Sequence, residues 1–406
     1  MRIMNFIFYN LQHIMNAVKG GLSVEIRRKI PCSIIRGGTS KGIYFLEKNV
    51  PAPGKERDDF LMRVMGSPDK KEIDGLGGAA SVTSKVAIVA PSARNDADVD
   101  YTFAQVSVDK PLVSYKGNCG NISSGVGAFA VEEGLVPACE PVTTVRVFNT
   151  NTGKIIVEEI RVSGGAVEYT GECRIPGVPG TAAPVRMKFM KPAGAVCGRL
   201  LPTGNAVDVL DVPGLGPVEV SIVDAANPLV FVNASSVGMT GRELPMEIDG
   251  LPELLERLEM VRGVAAVKLG WTADWKKAAW DTPGVPKMTI VSPPQDYVTS
   301  DGETVKADEV DLLGRMMSMQ KAHPTYAMTG AMCTAAAAVV PGSVVAKVLA
   351  KGVDLSRIRI GNPAGVMETG VEFEPGENEP KIICTVGVRT ANLLMQGCFI
   401  DKKAAE

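Results

Sequence analysis

The sequence predicts an α+β protein whose two halves share one layout, each a set of short strands around a single buried helix. Three observations carry this. At 406 residues the chain exceeds the roughly 250–300 residues over which one apolar core keeps growing, so two domains are expected. Short runs that alternate apolar and polar residues, broken by Gly, Asn and Pro, recur along both halves and have the period of half-buried strands. Two longer stretches, 115–136 and 323–341, are instead crowded with Ala, Gly and other small residues and lack a polar face, as helices buried on all sides do.

In chain order, residues 1–23 open with an apolar run that Asn10, Gln12, His13 and Asn16 interrupt. That run is too short for a membrane span of about 20 apolar residues and has no small-residue cleavage site. It is expected to be a leader or loosely attached segment. Residues 24–46 predict two β-branched strands joined by Arg36-Gly-Gly-Thr-Ser-Lys-Gly, a polar loop in which Gly37 and Gly38 let backbone and the hydroxyls of Thr39 and Ser40 approach an anion beside Arg36 and Lys41. A P-loop is excluded, because Lys41 is followed by Gly42 and a strand. Residues 55–65 have helical spacing. Residues 73–82 form a glycine-rich turn, and Thr83-Ser84-Lys85 then opens an apolar strand. Lys85 either snorkels to the surface or enters a buried layer, where desolvation favours a neutral amine that can act as a base.

Strands are expected at 98–108, 142–149, 155–162 and 167–173, around the first buried stretch. That stretch begins Gly117-Asn118-Cys119-Gly120-Asn121. A thiol at a helix start meets unpaired N–H groups that favour thiolate and anions; the plainer reading is a small apolar residue after a turn. The Pro/Gly-rich segment 176–184 is the expected crossing between domains. Beyond it strands are expected at 185–189, 206–212, 218–223, 229–233, 287–292, 358–366 and 382–388, with helices at 252–261, at 308–320 and over the second buried stretch. The tail 389–400 is free to join either half.

Composition narrows the function. A formal net charge of -2 with 22% charged residues leaves no basic footprint for nucleic acid. Eight dispersed cysteines without a CxxC fit free thiols in a cytoplasm better than a disulfide scaffold. The histidines are only His13 and His323, so His-rich metal sites and most His-dependent triads lack their residues. No HExxH is present and no Gly-x-Gly-x-x-Gly follows a strand, so no metal and no cofactor are expected. His323 is read either as a packing or capping residue or as a substrate contact. What remains, Ser40, Lys85 and Cys119 with glycine amides nearby, suits cofactor-free proton transfer, in which a tuned base removes a proton beside a carboxylate and preorganised donors receive the enolate charge.

Taken in order, the motifs Arg36-Gly-Gly-Thr-Ser-Lys-Gly, Met65-Gly-Ser-Pro-Asp, Ile73-Asp-Gly-Leu-Gly-Gly-Ala, Thr83-Ser-Lys, Asp98-Val-Asp-Tyr-Thr-Phe-Ala-Gln-Val and Gly117-Asn-Cys-Gly-Asn resemble the PrpF-like methylaconitate/methylitaconate isomerase family. The likeness continues through Leu201-Pro-Thr-Gly-Asn and Gly361-Asn-Pro-Ala-Gly. It implies a diaminopimelate-epimerase-like fold, in which each of two similar domains wraps a β-barrel-like sheet around a central helix and the site lies in the cleft between them. The domains would be 24–184 plus 388–406, and 185–387.

The family's lysine and cysteine match Lys85 and Cys119, and its loop serine matches Ser40. Arg36, Thr39, Ser84, Asn118, Gly120, Asn121 and His323 are the expected substrate contacts. The resemblance further implies isomerisation of a small unsaturated di- or tricarboxylate, by double-bond migration or cis-trans change. Keto–enol tautomerisation of an oxo-tricarboxylate, or a carboxylate-binding protein without catalysis, are the alternatives. Epimerase relatives open both central helices with cysteine, whereas here Cys333 lies inside the second one among alanines, so two-thiol racemisation is disfavoured. The expected partner is a small carboxylate substrate, with neither nucleic acid nor membrane; a homo-oligomer stays open.

Overall fold

A computed structural model of the chain describes residues 25–115, 119–377 and 379–404. The expected leader and Asn118 lie outside the described residues. The architecture follows from where the chain makes parallel pairs, because antiparallel strands need only a turn whereas a parallel pair needs a long crossover, usually helical. β1 (Glu25–Gly37) turns back onto β2 (Ser40–Leu46), with Gly37 opposite Ser40. Gly38 stands in that turn at φ +52°, in the left-handed region that glycine enters freely.

β2 runs parallel to β3 (Lys85–Pro91), and their crossover carries α1 (Lys55–Met65). The apolar stripe Phe60, Leu61, Val64 and Met65 packs on the outer face, against Ile43, Phe45, Val86 and Ile88. β3 pairs with β4 (Val99–Val106), beside short β5 (Val113–Ser114), and β4 runs parallel to β6 (Val142–Asn149). This second crossover carries α2 (Gly120–Ser123) and α3 (Val126–Glu132) on the inner face. β7 (Lys154–Ser163), with short β8 (Ala166–Val167), and β9 (Pro184–Met190) continue antiparallel. β9 pairs with the long last strand, Lys381–Ala404, which returns to β1, so the ring of strands closes.

The second half repeats the plan. After β10 (Asp208–Val212), β11 (Gly216–Ala225) pairs antiparallel with β12 (Asn227–Asn233), and β12 runs parallel to β13 (Lys287–Ser292). The crossover holds outer helix α4 (Pro252–Lys268). A ribbon of β14 (Tyr297–Val298) and β15 (Thr304–Val305) leads to β16 (Leu312–Ser318), antiparallel to β13 and joined by short β17 (Lys321–Ala322). β16 runs parallel to β18 (Ile358–Asn362), with inner helix α5 (Met328–Ala338) between them, and β19 (Gly365–Glu374) and the last strand, β20, follow antiparallel. From β1 and from β11 alike the pairing runs antiparallel, parallel, antiparallel, parallel, antiparallel, antiparallel. Each parallel crossover therefore sets helix against the sheet, first outside it and then inside.

The inner helices are made of small residues because strands surround them. Ile122, Val126 and Phe129 meet Tyr44, Ala87, Tyr101 and Val147 in one core; Cys333 and Ala335–338 meet Val223, Phe231, Leu312 and Ile360 in the other. Three expectations are corrected. Residues 308–320 are not a helix but a 3₁₀ turn (Ala307–Glu309) followed by β16. β16 is buried on both faces and so shows no alternation; even Arg315 is 1% exposed, donating to the carbonyls of Glu243, Gly314 and Gly361. Residues 167–173 hold strand only at β8, with a single bridge from Cys173 to Ala182. Residues 358–366 are not one strand but β18 and the turn of the β18–β19 hairpin, with Asn362 opposite Gly365. The tail 389–400 joins the first half: it is the part of β20 that pairs with β9 and β1, whereas β19 pairs with β20 only up to Gly387. Among the described residues no helix is long and apolar enough to cross a membrane.

Candidate functional site

Alternation along the strands gathers the chemistry at one rim of the closed ring. Ser40 shares a face of β2 with Tyr44 and Leu46, Lys85 shares a face of β3 with Ala87 and Val89, and Gln105 shares a face of β4 with Tyr101 and Phe103. These partners pack on the inner helix, so Ser40, Lys85 and Gln105 face inward where that helix begins. The approach is close: a Cβ on Gly42 would stand 2.8 Å from Ile122 Cδ1 and 3.1 Å from the Lys85 carbonyl.

Lys85 is 8% exposed. Its Nζ donates to Gln105 Oε1 and lies 5.2 Å from the centre of the Phe103 ring. Gln105 is oriented by its own amide, whose Nε2 donates to the carbonyls of Ser84 at 2.9 Å and Ser81 at 3.1 Å. The ammonium thus has a neutral acceptor and a ring face, and no carboxylate pairs with it among the described residues. Ser84 points elsewhere: its Oγ donates to buried Glu72 at 2.5 Å, and Glu72 also receives the Ala79 N–H at 2.8 Å. This bond pins the glycine-rich turn to the start of β3.

Cys119 occupies the residue before the first turn of α2, half-buried and extended at φ -109°, ψ 98°, and its carbonyl accepts the Ser123 N–H at 2.8 Å. The N–H groups that follow it are those a helix start leaves without intrahelical partners. Asn121 ties this helix start to the β1–β2 turn. Its Nδ2 donates to Thr39 Oγ1 at 2.9 Å, and a Cβ on Gly37 or Gly38 would lie 2.2 Å from an Asn121 oxygen, so both glycines are needed for the fit. Arg36 braces the same turn, Nη1 donating to the carbonyls of Gly38 and Thr390 and to Thr390 Oγ1, each at 3.0 Å. Ser40, Lys85, Cys119, Gly120, Asn121 and Thr39 are therefore brought together, with Arg36 behind the turn.

His323 follows β17 and is held by local bonds. Its N–H donates to the Met316 carbonyl at 2.8 Å, its Nδ1 accepts from Thr325 N at 3.1 Å, and burial next to Lys287 holds the imidazole below its ordinary pKa. Among the described residues no group of three or more His, Cys, Asp or Glu is arranged to hold a metal ion.

Residues 27–400 match the family described as PrpF protein. The chain belongs to the PrpF family. A 3-methylitaconate isomerase of Eubacterium barkeri is 48% identical over 93% of this chain and 98% of its own. A 4-oxalomesaconate tautomerase of Pseudomonas putida is 43% identical over 91% and 95%. The solved structure of a methylitaconate-delta-isomerase, 47% identical, superposes with a TM-score of 0.88 over 93% of this chain and 96% of that one. The family implied by the motifs is the family found.

Three further residues of this candidate site are not named by a reading of the sequence. Gln105 reaches Lys85 only through the β3–β4 register, in which the two are directly opposite. Met328, the first residue of α5, abuts Gly120: a Cβ there would lie 1.9 Å from Met328 Cε, so the starts of the two inner helices meet. Arg389, on β20, is 7% exposed and donates from Nε to Asn121 Oδ1 at 3.2 Å. Burial pulls its pKa down to about 10, opposed by the neighbouring thiols of Cys173 and Cys119. Only Met328 had a signal, as the first residue of an apolar small-residue run.

Proposed function

We propose that this PrpF-family protein is a cofactor-independent isomerase that moves a proton across three carbons of a small unsaturated di- or tricarboxylate, such as 3-methylitaconate or 2-methylaconitate. The observation that carries this is the inward-facing, nearly buried Lys85 amine, held by Gln105 at the rim where Cys119 opens the inner helix. In neutral form Lys85 removes the proton α to one carboxylate. The charge spreads into a dienolate, received by the Ser40 hydroxyl and by the N–H groups of Gly120 and Asn121 at the helix start. Lys85 or Cys119 then returns a proton three carbons along, and the double bond has moved.

The two halves are read as domains, 24–184 with 388–406 and 185–387, save that β9 pairs with β7 and so goes with the first, and the substrate is read as lying in a cleft where Gly120 faces Met328. The repeated strand order supports the first statement and the abutting helix starts support the second. Placement in a reducing cytoplasm is supported by eight unpaired cysteines.

Keto–enol tautomerisation of an oxo-tricarboxylate would use the same base and anion sites, and the 43% identity to an oxalomesaconate tautomerase keeps it as the second reading. The test is proton NMR in deuterated buffer with 3-methylitaconate, trans-2-methylaconitate and 4-oxalomesaconate offered together. One of the first two should gain deuterium and isomerise, and Lys85→Ala should abolish the exchange. Exchange confined to oxalomesaconate selects the tautomerase, and full exchange in the Lys85 variant removes Lys85 as the base.

A further inference from the structure

A cavity of about 700 Å³ opens beside Arg389, walled by the 172–176 segment of the first half and by β19 of the second. Four arginines line it, and three are occupied: Arg174 pairs with Glu303 at 3.3 Å, Arg357 with Glu368 at 2.5 Å, and Arg186 with Glu159 at 3.7 Å. Arg389 differs. Its Nε donates to Asn121 and its Nη1 to the Val388 carbonyl, while Nη2 has no hydrogen-bond partner and the guanidinium has no carboxylate partner among the described residues. A buried cation without a counter-charge is costly, and an arginine fork presents the geometry that receives a carboxylate.

We propose that Arg389 is the anchor for the substrate's second carboxylate, the one remote from the proton being moved, and so selects di- and tricarboxylates over monocarboxylates. The proposal rests on the reading of the Cys119 rim as the isomerase site. Through Asn121 the anchor is joined to that rim: Arg389 Nε donates to Oδ1 at 3.2 Å, and Asn121 sits two residues after Cys119. A ligand with one carboxylate at the helix start and Ser40 would reach Arg389 past Asn121, the residue through which the two sites touch. The arginine belongs to β20, which also pairs with strands of both halves, so its position is set by backbone ladders rather than by a mobile loop.

The experiment compares binding of succinate and of its monoamide, succinamate, by NMR titration to the full chain and to Arg389→Gln and Arg389→Lys. Succinate has no double bond to move, so the outcome stands apart from whether the protein isomerises methylitaconate. The wild type should prefer succinate by on the order of 10–100-fold, the range for a charge-assisted pair. Arg389→Gln should bind the two ligands equally, and Arg389→Lys should keep part of the preference, which a merely structural role would not produce. An undiminished preference in Arg389→Gln, equal weakening of both ligands in both variants, or no preference in the wild type overturns the anchor.

Discussion

The most demanding consequence of the fold concerns Glu158, an acid on the inward face of β7. It is 0% exposed; Oε2 accepts the Gly127 N–H at 2.8 Å, and Oε1 has no hydrogen-bond partner among the described residues. The ionisable groups around it are Tyr44 and Tyr101, themselves coupled to Cys119. Burial raises the Glu158 pKa from 4.5 to about 8, and the Gly127 N–H only partly opposes this. The folded protein therefore keeps its proton up to about pH 8, while the unfolded chain releases it near 4.5. A raised pKa contributes stability that is complete below the unfolded value and lost as pH rises through the folded one. At about 1.36 kcal/mol per pH unit, that interval is worth roughly 5 kcal/mol. Glu158→Gln keeps the shape and an acceptor for Gly127 but cannot ionise. Urea unfolding midpoints should nearly coincide for wild type and variant at pH 5, and the variant should lead increasingly toward pH 9. Parallel pH profiles would refute a protonated Glu158.

Two further outcomes follow from named contacts. Gly120→Ala places a methyl against Met328 Cε, so it should lower stability by about 1–3 kcal/mol, and adding Met328→Ala should restore most of it; thermal unfolding of the single and double variants is the check. Asp401 is 0% exposed and receives Arg28 at 2.9 Å and Arg63 at 3.0 Å. Burial pushes its pKa up, but the arginine bonds outweigh this and hold it below the ordinary carboxylate value. Its contribution is thus present above about pH 4 and lost on acidification. Asp401→Asn should cost about 1.5–3 kcal/mol at pH 7, and the gap to wild type should close below about pH 4 in acid unfolding curves.

What the sequence made legible was local. The β1–β2 turn, α1 over Lys55–Met65 and the start of β3 at Lys85 are each marked by glycines, by 3.6-residue spacing or by a switch to alternation, and all are present. β16 was misread because Leu-Leu-Gly-Arg-Met-Met offers apolar residues to both faces, and Leu and Met also favour helix. Nothing in the sequence marks Glu158 as buried, since no local signal says which face of β7 turns inward. Gln105 and Arg389 depend on register and on pairings across more than half the chain. Sequence periodicity carries no information about either.

β20 runs 24 residues, its second part, Ala391–Ala404, pairing with all of β1 and its first part with β9 and β19. It is synthesised after every strand it joins. The ring around Cys119 therefore cannot close while the chain emerges from the ribosome, although all its other strands are already made. Until β20 arrives, β1 and β9 each present an open edge, and the inner helix has an incomplete wall. Arg389 enters with the strand that seals that wall, so the finished first half and the proposed anchor come into being in one late event.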